Sequence, residues 1–213
     1  MKTMSAAGML ASVAGGLALQ SADLGQLPWL IARESGLVAF ALLSLSVTLG
    51  LLVSTKAADG LLPRVLTFEL HQFLSVLTVS LLGVHAGALL FDASFHFTPI
   101  SILVPFASPY APLWTGLGVI GGWTTAAVTA SFWMRRRIGQ KAWRRFHYLS
   151  FLAYWLGLVH GFTAGTDTNL GWIPWLYIGS AATVAGLLVY RIALRPEAAT
   201  STRSVAARVG AGR

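Results

Sequence analysis

The run from Phe146 to Thr168, FHYLSFLAYWLGLVHGFTAGTDT, is apolar for most of its length yet carries two histidines, His147 and His160. About 20 consecutive apolar residues are what a helix needs to cross a bilayer, so the run predicts a membrane-spanning helix. Ionisable side chains at that depth are costly and mark a functional site by default. A second run, residues 66–92, repeats the arrangement with His71 and His85. Four of the five histidines therefore form two pairs on two hydrophobic segments.

Composition agrees: 55% hydrophobic and 10% charged residues place the chain in the membrane class before any motif is considered. The absence of cysteine excludes cysteine-ligated iron–sulfur clusters, covalently attached c-type haem, thiol chemistry and disulfides. A net charge of +8 would point to nucleic acid in a soluble protein. Here the basic residues lie in the connections between apolar runs, which makes them topology signals and argues against a nucleic-acid partner.

Hydropathy and breaker residues predict helices at about 36–54, 66–91, 113–134, 145–165 and 172–194. Residues 1–30 form a short apolar N-terminal segment. Within it, 5–20 is either a sixth, uncleaved helix or a signal peptide, being shorter than a perpendicular crossing requires. Pro99, Pro105, Pro109 and Pro112 stiffen 92–112 into a loop, and Pro112 suits the first turn of the helix that follows. The expected fold class is an all-α integral membrane protein, a bundle of five to six transmembrane helices over 31–195. A basic tail, 196–213, has no apolar periodicity and reads as disordered and lipid-facing. All Lys and Arg except Arg33 fall on one side of this alternation, so the turns at 55–65 and 135–144 and the C-terminus are expected in the cytoplasm of a multi-pass cell-membrane protein.

On that topology the two histidine helices run in the same direction, with His71 and His147 near the inner face and His85 and His160 deeper or outward. At 1.5 Å per residue the pairs are separated by about 21 Å and about 20 Å, enough to stack two porphyrins across one membrane. Neutral imidazole is a common iron ligand, and bundle cores hold cofactors between facing helices. Fourteen residues from His71 to His85 fall about 40° short of four turns, so these two share a face. Thirteen from His147 to His160 leave about 140° of mismatch on an ideal helix. Either that helix is overwound by a 3₁₀-like turn near Gly157, or the two rings are approached from different sides.

Gly83 and Gly87 flank His85, and Gly157 and Gly161 flank His160. They serve close helix packing, clearance for a porphyrin edge, or both. Propionates need cationic partners, which Arg144 and Arg145 offer on the inner side together with Lys141 and Arg64. Arg33 opposes the positive-inside bias, so it meets an outer propionate or pairs with Glu34 or Asp92. Glu69 is expected at the inner interface and His96 in a solvated outer loop. Trp29, Trp114, Trp143, Trp172 and Trp175 sit near predicted helix ends as interfacial anchors. The GxGxxG string at Gly116, Gly118 and Gly121 lies inside a predicted helix and follows no strand, so it fails as a dinucleotide site and reads as packing, with Gly118 and Gly122 as a GxxxG pair.

The segments RRFHYLSFLAYWLGLVHGFTAGTDT, ELHQFLSVLTVSLLGVHAGALLFD and ARESGLVAFALLSLSVTLGLL resemble the ferric reductase-like transmembrane domain, the haem-bearing part of ferric reductases and NADPH oxidases. The similarity covers about residues 28–195, and the histidine spacings of fourteen and thirteen match that family's pattern. The resemblance implies two haem b: His71 with His147 on an inner one, His85 with His160 on an outer one. Family members that use NADPH carry a flavin and nucleotide domain after the last helix. The expectation here is a stand-alone form without it, fed by a separate electron donor, either a flavoprotein reductase or a quinol.

These observations make the expected function that of a transmembrane b-type cytochrome, an electron-transfer component of an oxidoreductase. It would carry electrons from a cytoplasmic-side donor to an outer acceptor such as ferric iron or oxygen. One alternative is a haem-binding membrane subunit serving a separate extracytoplasmic reductase, of methionine sulfoxide reductase type. The other is a haem-free membrane scaffold or transporter.

Overall fold

A computed structural model of the chain describes residues 26–55, 63–168 and 171–193. The apolar segment 5–20, the tail 196–213 and most of the first basic turn lie outside the described residues. The described chain is helical: α1 (Leu27–Thr55), α2 (Arg64–Leu89), a short α3 (Pro99–Leu103), α4 (Pro112–Ile138), α5 (Gln140–His147), α6 (Leu149–Ala164) and α7 (Ile173–Ala193). Three of these, α1, α2 and α7, are long and apolar enough to cross a membrane.

Local chemistry sets the ends. Helix α1 begins nine residues earlier than hydropathy indicates, because Arg33, Glu34 and Ser35 continue the turn instead of stopping it. The proline-rich loop contains a helix that its prolines do not forbid: Pro99 takes the first-turn position of α3, and Thr98 with Ser101 closes a reciprocal capping box. Pro112 opens α4 in the same way. Gly139, at φ 83°, ends α4 and turns the chain into α5, a conformation that side chains with a Cβ rarely adopt.

The histidine helix expected over 145–165 is interrupted at Tyr148, which separates α5 from α6. There the Tyr148 N–H donates to Arg145 O at 3.2 Å and the Phe151 N–H to Tyr148 O at 3.1 Å, both three residues back. This is a local 3₁₀ turn. The overwinding thus falls at Tyr148, next to His147, and not near Gly157. Each residue in 3₁₀ geometry turns about 20° further than one in an α-helix, so the part of this turn that follows His147 removes some of the roughly 140° mismatch.

Helix α1 packs along α2, and α4 along α6; α1 also touches α6 and α7 and so joins the two pairs. The core lies at that junction, where Phe40, Val47, Leu51, Tyr154, Tyr177 and Val184 are buried and Tyr154 Oη shares a 2.7 Å hydrogen bond with Ser180 Oγ. The histidine helices α2 and α6 are not among the closely packed pairs. Many large apolar side chains point outward, including Phe73, Phe91, Trp133, Trp172 and Trp175. Water disfavours such a surface, and a bilayer suits it.

Candidate functional site

The space between α2 and α6 is where the four histidines meet. His71 and His147 face each other with ring centroids 6.0 Å apart and ring planes at 78°. His85 and His160 repeat this at 6.2 Å and 75°. A first-row metal bound between two imidazoles at about 2.0–2.1 Å per bond holds their centroids about 6.3 Å apart, which both pairs nearly match.

The backbone fixes the tautomer of three rings. His71 Nδ1 lies 2.7 Å from Ser46 O, His85 Nδ1 2.7 Å from Ala32 O, and His160 Nδ1 3.0 Å from Trp114 O. A carbonyl only accepts, so each Nδ1 carries the proton and each Nε2 keeps its lone pair. Metal-binding histidines are oriented in this way, the donated N–H also raising the basicity of the ligating nitrogen. Ser46 Oγ lies 3.0 Å from His71 Nδ1 and 2.8 Å from Ser75 Oγ, a short polar link between α1 and α2. His147 differs: its Nδ1 is buried without a hydrogen-bond partner, beside the equally unpartnered Trp143 Nε1.

Each pair lines a cavity. The one at His71 and His147 measures about 310 Å³ and is bounded by Phe68, Phe132, Trp143, Arg144 and Arg191 among others. The one at His85 and His160 measures about 420 Å³ and reaches Trp29, Arg33, Asp92, Tyr110, Asp167 and Tyr177. Both volumes lie in the range of cofactor pockets. Leu43, Thr78, Thr125 and Ala153 border both cavities and form the wall between them. The hydroxyls of Thr78 and Thr125 bond to carbonyls of their own helices, which leaves that wall apolar.

Among the described residues no group of three or more His, Asp or Glu side chains is placed to hold a bare metal ion. Two facing neutral imidazoles suit a metal whose remaining positions are filled by its own macrocycle. The donor set, the ring separation and the cavities fit haem in bis-histidine coordination.

The remaining predicted residues divide. Arg33 lines the His85 cavity, where its Nε donates to the Asp167 carboxylate; Glu34 is 3.6 Å away and the Trp29 ring lies under the guanidinium at 5.1 Å. Arg33 thus pairs with Asp167, which sequence reasoning missed, and with Glu34, which it named, but not with Asp92. Asp92 instead accepts from Ser94 N at 3.0 Å, and its other oxygen is buried without a partner. Arg144 lines the His71 cavity, whereas Arg145 is exposed and lines neither. Arg191, read from sequence only as a topology signal, borders the His71 cavity and bonds Tyr148 Oη at 3.2 Å. Glu69 and His96 are exposed and border neither cavity.

The glycines also divide. A Cβ on Gly83 or Gly87 would meet nothing within 4 Å, so neither mediates helix packing, although Gly83 borders the His85 cavity. Gly116, Gly118 and Gly121 all lie inside α4, outside the context a nucleotide loop needs. Close approach of α4 to α6 occurs at Gly121, opposite Leu156 and Gly157, and at Gly118, against the His160 ring, whereas a Cβ on Gly122 would meet nothing within 4 Å, so Gly118 and Gly122 do not act as a pair. The Trp143 indole packs on the His147 ring, with centroids 5.1 Å apart.

What fold and site define together, among the described residues, is a helical protein with three helices fit to cross a membrane and two pairs of facing histidines in separate cavities. Comparison with models of known families, with curated proteins and with solved structures finds no match.

Proposed function

We propose that the chain is a transmembrane b-type cytochrome of the ferric reductase-like kind, binding one haem b between His71 and His147 and another between His85 and His160. The observation that carries this reading is the repeated histidine pair, with centroid separations of 6.0 and 6.2 Å at two levels of one bundle. Bound there, haem supplies a one-electron iron couple. The chain's own part is positional. His71 with His147, and His85 with His160, would hold each iron between two imidazoles, which would favour outer-sphere electron transfer over chemistry at an open iron. The rings are half-buried between the helices, and the pinned Nδ1–H groups of His71, His85 and His160 strengthen them as ligands. Arg144 and Arg191 at the His71 end, and Arg33 at the His85 end, offer charge to propionates.

In this reading α4 and the joined α5–α6 cross the membrane together with α1, α2 and α7, and the cluster of Arg135, Arg136, Arg137 and Lys141 marks the cytoplasmic side. Electrons enter at the His71–His147 end from a separate flavoprotein reductase or quinol. They leave at the His85–His160 end to an acceptor outside, ferric iron, oxygen or an extracytoplasmic acceptor protein.

The test is haem content by the pyridine haemochrome assay on detergent-purified protein from haem-replete cells, with a reduced-minus-oxidised spectrum. Two haems b per chain are expected. None would return the histidine pairs to a packing role and remove the electron-transfer reading.

A further inference from the structure

Three of the four rings are seated by one repeated device. His85 bonds Ala32 O and lies against Gly36; His71 bonds Ser46 O and lies against Gly50; His160 bonds Trp114 O and lies against Gly118. In every case the glycine is four residues after the carbonyl. In an α-helix the carbonyl of residue i already accepts from the N–H of i+4, and its second lone pair is screened by the side chain at i+4. Glycine there removes the screen and lets a foreign ring reach the backbone. A Cβ built on Gly36 would lie 2.7 Å from His85 Nδ1, one on Gly118 2.6 Å from His160 Nδ1, and one on Gly50 3.2 Å from His71 Cε1.

We propose that Gly36, Gly50 and Gly118 are positioning residues of the histidine sites: each opens the carbonyl one turn before it to an imidazole N–H and thereby fixes which nitrogen the ring offers to a metal. The repeat follows the geometry of the helix pair. Gly36 and Gly50 are fourteen residues apart on α1, as His71 and His85 are on antiparallel α2, so one register seats both rings. Helix α4 supplies only one seat. One register further along it, opposite His147, residues 127–132 read AVTASF and contain no glycine. His147 is the ring whose Nδ1 has no partner.

The inference about tautomers stands on the chain alone, and its consequence for metal binding rests on the haem reading, so the experiment has two arms. In haem-free protein labelled with ¹⁵N at histidine, His71, His85 and His160 are expected as Nδ1-protonated tautomers, whereas His147 gives an exchange-averaged signal. Gly36→Ala, Gly50→Ala and Gly118→Ala should each release only the ring facing them. In haem-loaded protein, Gly36→Ala and Gly118→Ala should lower occupancy of the His85–His160 site several-fold and leave the other site filled. Gly50→Ala should give a smaller loss at the His71–His147 site, because its contact is the loosest of the three. Gly186→Ala on α7, where a Cβ meets nothing within 4 Å, is the control for a general effect of alanine.

Unchanged tautomers and unchanged occupancy in the seat variants would overturn the proposal, as would a fixed Nδ1–H on His147 in the unaltered protein, a measurement that needs no variant to fold. Absence of haem from haem-replete protein, with the tautomer pattern intact, would overturn the cytochrome reading and leave the seats standing.

Discussion

The two ends of the bundle use the same pair of side chains and hold them differently. At the His85–His160 end both rings are pinned to backbone carbonyls, and an ion pair between Arg33 and Asp167 lines the cavity. At the His71–His147 end only His71 is pinned; its partner leans on Trp143, one residue before the chain breaks into a 3₁₀ turn, and the charged side chains lining the cavity are the cations Arg144 and Arg191. Similar ring separations thus conceal one rigid site and one site with a loose ligand. If position alone made a site, the two would behave alike; the backbone hydrogen bonds to the rings predict that they do not.

The largest expected effect is on occupancy. His85→Ala or His160→Ala should halve the haem content measured by the pyridine assay while sparing the His71–His147 spectrum, and His71→Ala or His147→Ala should do the reverse. Loss of both haems from any single change would mean that the two ends form one cooperative unit.

Next is the ion pair found at one end only. Both carboxylate and guanidinium are largely buried, so Arg33→Met, which strands Asp167, should cost on the order of 3 kcal/mol and lower the thermal midpoint. Arg33→Met with Asp167→Leu should recover most of that loss. A double variant no more stable than the single one would show the pair to be solvated and the two ends less different than drawn.

Much of this arrangement was legible in the sequence, and what was not has physical causes. Histidine depth follows from residue number along a helix, so the two levels could be read directly, as could the failure of Gly116–Gly121 as a nucleotide loop. Helix ends were read less well. Hydropathy cannot see that Arg33 and Glu34 stay helical when Asp167, far along the chain, supplies a counter-charge. Nor does it register a capping box such as Thr98–Ser101 inside a proline-rich stretch. The thirteen-residue spacing signalled either overwinding or rings approached from different sides; a 3₁₀ turn is present, yet it falls at Tyr148, where the Arg144 and Arg145 region gives way to the apolar run. The glycines that touch the rings lie on other helices than the histidines. Their signal was the equal spacing of Gly36–Gly50 and His71–His85, which inspection of the sequence around each histidine does not reveal.

The loose ligand gives a kinetic prediction of intermediate size. An imidazole whose Nδ1–H bonds nothing leaves a metal more readily, so, with haem bound as proposed, carbon monoxide added to dithionite-reduced protein should react several-fold faster at the His71–His147 site. The assignment is made with His85→Ala, which should keep the fast phase, and His71→Ala, which should lose it. Equal rates at the two sites would mean that packing of Trp143 on His147 holds that ring as firmly as a carbonyl holds the others.

The smallest effect isolates that packing. Trp143 Nε1 is buried with no acceptor, and a donor left unsatisfied costs about 1–3 kcal/mol, whereas the indole face supports the His147 ring. Trp143→Phe keeps an aromatic face and removes the donor. If the N–H is only a cost, the variant should retain both haems and unfold at equal or slightly higher temperature, by an amount equivalent to about 1 kcal/mol. If it instead loses the His71–His147 haem selectively, the indole N–H holds a group on the cofactor or its donor. The asymmetry between the ends would then reflect a ligand contact at the His71 end in place of a missing seat.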